Sequence, residues 1–563
     1  MDLNTTSEII SFAKKLEEDS AKFYEDLSHR YAQDEDVFLS FVKENRKNAV
    51  QIERAYYGVI SDALEGCFSF KINPDEYMLK GYELEIVNIA RKKLIKSPPP
   101  NIDLSDFYRL SEYVSREAMK CVREASIETS AELMEEDVER LSKIVVTYTS
   151  GLGIIECIMS DNNITDLYIN SPVEENPLYI VHSDYGEMKT NIFLKSDDIE
   201  AIISRFRARS GRAFSEAVPV LDLELPEFGV RVCTIGKPLA PDGVAFAMRR
   251  AKSTPWTLLE MIEKRTLNSL SAALLSFFVD GNLTILITGP RGAGKTSLLT
   301  SLICELPMDS RIITIEDTLE IPVSKLNLSG FRIQRLKTQS AISRAETEIS
   351  GEDALRTALR LGDSALVIGE VRGSEAKVLY EAMRIGAAGS CVLGTIHGSS
   401  TRDVYERVVH DIGIAPLSFK ATDIVVVVAP VRMKGTSRKR RRVIEISEVT
   451  KDWGEHVNPN EIFRYLMKYD ASKDELKLSK TVLDGNSVAI KKIAEMWGMS
   501  YDDALKNIEL RAKVFEELLN LKDHVSLDFF IRAKNIMRRI LDKESNYNSA
   551  FKIWKNEITE KFK

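Results

Sequence analysis

LTILITGPRGAGKTSLLTSL, residues 283–302, decides the fold. Its middle, Gly289 to Thr296, fits the pattern G-x-x-x-x-G-K-[ST]. An apolar run of strand length precedes it, and KTSLLTSLICEL follows as a helix. In that setting the glycines let backbone N–H groups close around a phosphate, and the helix N-terminus favours the anion. The pattern assigns Lys295 to the β- and γ-phosphates of a triphosphate and Thr296 to Mg2+. The candidate cofactor-binding residues are therefore Gly289, Pro290, Arg291, Gly292, Ala293, Gly294, Lys295, Thr296 and Ser297, with ATP and Mg2+ as the cofactors. The loop alone does not choose among metabolic kinases, GTP switches, DNA translocases and mechanical motors.

Outward from the loop, strands and helices alternate. RIITIED (311–317), ALVIGE (365–370), CVLGTIH (391–397) and DIVVVVA (423–429) are continuous apolar runs. Continuous rather than alternating hydrophobicity indicates strands buried on both faces of a parallel sheet. Ligands of such sheets bind beyond the carboxyl ends of the strands. Three of those ends carry chemistry: Glu316, Asp317 and Glu320 after the first, Glu370 after the second and His397 after the third. Glu370 suits polarising an attacking water or holding the metal through water. No aspartate directly precedes it. On spacing alone, a solvated acidic turn and a structural histidine remain open readings.

The rest of the chain sets bounds. Its 563 residues suggest three or four domains of about 150 residues each. With net charge −8, it is a poor non-specific binder of nucleic acid, and no specific nucleic-acid binding is expected. No apolar run reaches the length of about 18 to 20 needed to span a bilayer. The first twenty residues are too acidic and polar for a signal peptide. A cytoplasmic chain is expected, with any membrane attachment made through partners. The six cysteines form no C-x-x-C pair, so free thiols are expected rather than a zinc ribbon or redox pair.

Texture divides the chain into five parts. Residues 1–66 read as a helical hairpin whose second helix runs to about Ala63, and 67–146 as a helical linker region broken by the stiff segment Lys96–Asn101. Residues 147–252 alternate short β-type runs (ITDLYIN, PLYIVH, GVRVCTI, VAFAMRR) with one helix, as in a mixed α/β domain. Residues 256–455 hold the phosphate loop, and 456–563 read as a mainly helical extension. The basic run Ser437–Arg442 reads as a hairpin tip between two strands, although five cations in a row also suit nucleic-acid or membrane phosphates.

Four segments, GPRGAGKTS, TIEDTLE, VIGEVRG and GTIHG, occur in this order over about 110 residues. Together they resemble the secretion superfamily of traffic ATPases: the motors of type II secretion, type IV pili and archaella, and their type IV secretion cousins. The resemblance covers about residues 145 to 510. GEVRGSEAKVLYEAMRIGAAGS and FKATDIVVVVAPVR look most like archaeal members. It implies an α/β fold, with a RecA-like P-loop ATPase domain preceded by a smaller mixed α/β domain and helical extensions at both ends. The two α/β domains would clamp nucleotide, and rings of six would form. By position, Lys295 and Thr296 would hold phosphate and Mg2+. Glu316, Glu370, His397 and Arg231 would be the catalytic set, His397 sensing the γ-phosphate and Arg231 neutralising transferred charge. Arg212, Arg249 and Arg250 match less well than Arg231, and Arg372 and Arg407 would help as well, with no role assigned to them.

The implied function is a cytoplasmic homohexameric ATPase. It would power assembly of a type IV pilus-like filament, or secretion, through a polytopic membrane platform protein, with pilin-like substrates engaged indirectly. The alternatives are a type IV secretion or conjugation ATPase moving DNA or effector proteins, and a nucleotide-dependent regulator that hydrolyses poorly. Two departures stand out. The four-cysteine zinc subdomain of bacterial type II members is missing, so no metal beyond Mg2+ is expected. LEEDSAKFYEDL and FVKENRKNAVQIERAYY resemble rubrerythrin-like helices, with Glu17 and Glu44 in place. Lys47 stands where the ligand histidine belongs, and an interaction module is expected there instead of a metal site.

Overall fold

The computed structural model describes residues 60–62, 67–72, 79–97, 107–183, 185–226, 228–250, 252, 254–338, 349–384, 391–432, 439–454, 458–521 and 525–561, with Ser20, 22–25 and Val42. The hairpin expected before residue 60, including Glu17, Glu44 and Lys47, lies otherwise outside the described residues. The chain forms two compact units, Met1–Ala251 and Lys252–Lys563.

In the first unit, helices Gly81–Ile95, Phe107–Glu128 and Glu135–Thr149 share a core. Apolar residues recur every three or four positions (Ile86, Ala90 and Leu94; Ala118, Val122 and Ala125; Val138, Leu141 and Val145), so each helix buries one stripe. The expectation of helix to about Ala63 is corrected at Ile60–Asp62 (β1), which is a strand. Ile60 is β-branched and suits an extended strand. β1 pairs with Cys67–Phe70 (β2), which runs parallel to Gly186–Thr190 (β5). With Ile164–Ile169 (β3), Tyr179–His182 (β4), Val220–Leu225 (β6), Val230–Ile235 (β7) and Ala245–Arg250 (β8), they form one sheet in the order β1-β2-β5-β4-β3-β8-β7-β6. β7 alternates strictly: Val230, Val232 and Thr234 are buried, which turns Arg231 to the other face.

The second unit is built on a nine-stranded sheet: Thr284–Gly289 (β9), Arg311–Glu316 (β10), Arg332–Lys337 (β11), Ala365–Val371 (β12), Val392–His397 (β13), Ile424–Arg432 (β14), Lys439–Val449 (β15), Phe463–Asp470 (β16) and Glu475–Leu478 (β17). The order is β11-β10-β12-β13-β9-β14-β15-β16-β17. The first six are parallel and the last three antiparallel. Every residue of β9 is buried. One face packs Ile285 and Ile287 against Leu274, Phe277, Phe278, Leu298 and Leu302. The other packs Ile313, Leu366 and Ile368 against Leu355 and Leu379. Each such side chain contributes about 1.5–3 kcal/mol on full burial, so the central strands are fixed by their apolar runs.

Two expectations take a finer form. The part after residue 455 is not helical from its start, since β16 and β17 extend the sheet before helices Val488–Met496, Tyr501–Asn520, Leu527–Leu541 and Tyr547–Lys561. Of the basic run, Lys439 to Arg442 lie within β15, paired antiparallel with β14, whereas Ser437 and Arg438 lie outside the described residues. Arg442 is buried there, held by both oxygens of Asp474 at 2.7 and 2.9 Å. Among the described residues, no helix is long and apolar enough to cross a membrane.

Candidate functional site

The site forms at the carboxyl ends of β9, β10, β12 and β13. Strand register brings its parts together, for His397 lies directly opposite Gly289. Gly289 cannot be replaced there, because a Cβ would stand 2.2 Å from the Val428 carbonyl oxygen of β14. The loop then turns through Gly294, at φ +97°, into helix Lys295–Ile303. Arg291 and Gly292 are exposed, Ala293 is buried, and Thr296 and Ser297 lie in the first helical turn.

Lys295 is buried. Its ammonium donates to the carbonyl oxygens of Gly289 at 2.9 Å and Pro290 at 3.3 Å, and lies 3.3 Å from His397 Nδ1. Burial lowers its pKa, and the negative charges of Glu370 and Glu320 act against that. An ammonium can only donate, so His397 Nδ1 is the acceptor and Nε2 carries the ring hydrogen. That nitrogen stands 2.7 Å from Glu370 Oε1. Burial also depresses the His397 pKa; the negative charge of Glu370 opposes this, and the cations Lys295, Arg372 and Arg407 add to the depression. Near neutral pH the imidazole is uncharged and joins the loop lysine to the glutamate.

Glu370 owes its direction to a β-bulge. Ile368 pairs with Gly394 and Val371 with Ile396, so β12 holds one residue more than β13 between these pairs. The Gly369 carbonyl leaves the ladder and accepts the Thr395 hydroxyl at 2.6 Å. Glu370 is thereby turned to His397 on one side and to Arg372, which donates to its Oε2, on the other. Arg372 also bonds Asp317 at 2.7 Å.

Glu316 lies next to this bulge, and a Cβ on Gly369 would sit 3.1 Å from Glu316 Cγ. One Glu316 oxygen accepts the N–H groups of Glu320 and Ile321, both at 2.9 Å. The other is buried with no hydrogen-bond partner. Burial outweighs the two N–H bonds and pushes the Glu316 carboxyl up to about 7. The donors available to a cation are oxygens: the Thr296 hydroxyl, the open Glu316 oxygen and Glu370. That set fits Mg2+, which keeps several waters and is shared with substrate phosphates. Among the described residues, no group of three or more His, Cys, Asp or Glu side chains forms a metal cage.

The four arginines expected from the smaller domain belong to the first unit. Arg231 and Arg249 lie directly opposite each other on β7 and β8. Arg231 reaches Asp222 at 3.4 Å and Arg249 reaches Asp166 at 2.9 Å. Arg212 donates to the Asp222 carbonyl at 3.0 Å. Arg250 is held by backbone carbonyls, among them Ile164 at 3.0 Å and Phe228 at 3.4 Å.

Three participants escaped sequence reasoning. Arg441, within the basic run of β15, donates to the Gly292 carbonyl of the phosphate loop at 3.0 Å. Thr395 anchors the bulge, and Thr288 bonds the Gly398 carbonyl at 3.0 Å. Only Arg441 left a signal, a cation in a strand-compatible run, and the partner's distance in sequence hid its role.

A family model described as "Type II/IV secretion system protein" matches residues 159–476. An uncharacterized protein of Methanocaldococcus jannaschii is 28% identical over 377 residues, covering 66% of this chain and 64% of that protein. A putative conjugal transfer protein of Mycobacterium tuberculosis H37Rv is 27% identical over 279 residues, covering 48% of this chain and 76% of the other. Among solved structures, the ATPase DotB of Legionella pneumophila matches with TM-score 0.41 and 18% identity, over 62% of this chain and 94% of its own. The chain spans less than two thirds of the length of the first of these relatives, 64%.

Proposed function

As the chain belongs to the type II/IV secretion system protein family, we propose that it hydrolyses ATP and passes the resulting domain movement to a membrane-bound secretion or filament apparatus. The observation that carries this reading is the continuous contact Lys295–His397–Glu370, at 3.3 and 2.7 Å. It joins the group that would bind the γ-phosphate to the carboxylate that would take a proton from water. Phosphate oxygens would replace the loop carbonyls on Lys295. His397, whose Nε2 stands 2.7 Å from the otherwise unpartnered Glu370 Oε1, would register that change and orient the carboxylate by donating to it once nucleotide is bound. Glu370 would then hold the water in line with the γ-phosphorus. Mg2+, held by Thr296 and through water by Glu316 or Glu370, would neutralise charge on the phosphates. Arg231, opposite Arg249 on the paired strands β7 and β8, is the cation that the family resemblance would assign to the transferring phosphoryl group.

In finer terms, the chain works as a homohexamer at the cytoplasmic face of a membrane. It drives a type IV pilus-like filament through a polytopic platform protein. The order of the four motifs supports this, as do the archaeal-type segments. A second reading, a conjugation or type IV secretion ATPase, is favoured by the relative named as a putative conjugal transfer protein. Affinity capture from gently solubilised membranes separates them, with wild type beside Glu370→Gln. Recovery of a polytopic platform protein and pilins, enriched with the variant, supports the filament motor. Recovery of DNA-processing proteins instead rejects it in favour of the second reading.

A further inference from the structure

Beside Arg372 lies a cavity of about 290 Å³, lined by Arg372, Lys377, Arg407 and Asp411 among others. Three cations face one carboxylate, and among the described residues Asp411 makes no ion pair with any of them. The side chains of Lys377 and Arg407 have no hydrogen-bond or ion-pair partner among the described residues, although the backbone of each is bonded, Lys377 N–H to the Ser374 carbonyl and the Arg407 carbonyl to Ile412 N–H. Arg407 Nε is also buried without an acceptor. A buried donor left unsatisfied is costly, and like charges gathered around one space repel. Both costs vanish when an anion with several acceptor oxygens sits between them.

The position says which anion. Arg372 belongs to the cavity wall and at the same time bonds Glu370 and Asp317. The cavity is thus separated from the Glu370 carboxylate by one guanidinium. Glu370 is the group placed where the γ-phosphate would be cleaved.

We propose that this cavity is a phosphate-class oxyanion site that receives inorganic phosphate leaving the hydrolytic site. The site rests on the reading of the chain as an ATPase and extends it to the path of the product. Phosphate bound there competes with Glu370 and Asp317 for the N–H groups of Arg372. Its arrival loosens Arg372 from the carboxylate, and its departure restores that contact. The device ties the return of Glu370 to the release of product.

The test is equilibrium dialysis of labelled inorganic phosphate against the full chain, for wild type, Lys295→Ala, Lys377→Gln, Arg407→Gln and Arg407→Lys. Binding should survive Lys295→Ala within about twofold. It should weaken on the order of tenfold in Arg407→Gln and recover partly in Arg407→Lys, as expected for loss and return of a charge-assisted contact. Lys377→Gln should weaken it too, without dependence on the fold around Arg407. No binding to wild type at millimolar phosphate overturns the proposal, and so does binding that is lost in Lys295→Ala and intact in Arg407→Gln. A single turnover of γ-labelled ATP separates the sources. Labelled phosphate should leave wild type more slowly than Arg407→Gln, and equal rates reject the product route. Wild-type hydrolysis is measured alongside: turnover without phosphate binding sinks this inference alone, whereas no turnover sinks the ATPase reading.

Discussion

Replacing Glu316 by glutamine should make the protein more stable and less active, in a pH-dependent way. Glu316 is 2% exposed, and burial raises its pKa from 4.5 to about 7. The folded state therefore holds the proton more tightly than the unfolded chain. The associated stability is complete below about 4.5 and is lost as pH rises through 7. At 1.36 kcal/mol per unit, that interval makes the ionised carboxylate cost about 3 kcal/mol at pH 8. Glutamine keeps the shape and an oxygen for the N–H groups of Glu320 and Ile321 but carries no charge. Its weaker acceptor gives back part of the gain, so about 1–3 kcal/mol should remain at pH 8. This corresponds to a rise of a few degrees in Tm. At pH 4.5, where the wild-type carboxyl is protonated, the advantage should vanish. Calorimetry of full-length wild type and Glu316→Gln at the two pH values gives the answer, with ATP turnover measured in parallel. A variant no more stable than wild type at pH 8, or equally stabilised at both pH values, refutes the reasoning.

Other residues give sharper single tests. Burial keeps His397 neutral to below its ordinary value of 6.5, so turnover should show a fall below about 6.5, separate from the change that protonation of Glu316 brings near 7. There the protonated ring turns its Nδ1 into a donor facing Lys295. The pH–rate profile of His397→Gln should lack that limb. Arg441→Gln should weaken ATP binding several-fold by releasing the Gly292 carbonyl, while Arg440→Gln, one residue away, should leave a fluorescent ATP analogue's affinity unchanged. Asp474→Ala strands the buried Arg442 guanidinium and should cost about 3–5 kcal/mol in denaturant unfolding.

The parallel sheet and the phosphate loop were legible because each central strand is apolar on both faces, and because the glycine pattern has a single geometric use. The strand ends at Glu316, Glu370 and His397 followed from the rule that ligands sit at carboxyl ends. Direct contact between His397 and Glu370 did not follow, since it depends on a bulge at Gly369–Glu370 that leaves no mark in hydropathy. β16 and β17 were missed for a different reason. FRYLMKYD and ELKL are short and charged at an antiparallel edge, and their exposed positions mimic a surface helix. Arg441 and Arg442 show how little a run of like residues says: one holds the phosphate loop, its neighbour is buried against Asp474.

The central claim is that Glu370 is the carboxylate of hydrolysis and Lys295 the phosphate anchor. It is tested most directly by measuring ATP binding and ATP turnover separately in Glu370→Gln, using the purified full chain with Mg2+. The account predicts turnover lowered by about 10²–10⁴-fold, as for loss of a general base, with ATP affinity within a few-fold of wild type. Turnover that persists at the wild-type rate in Glu370→Gln would contradict it.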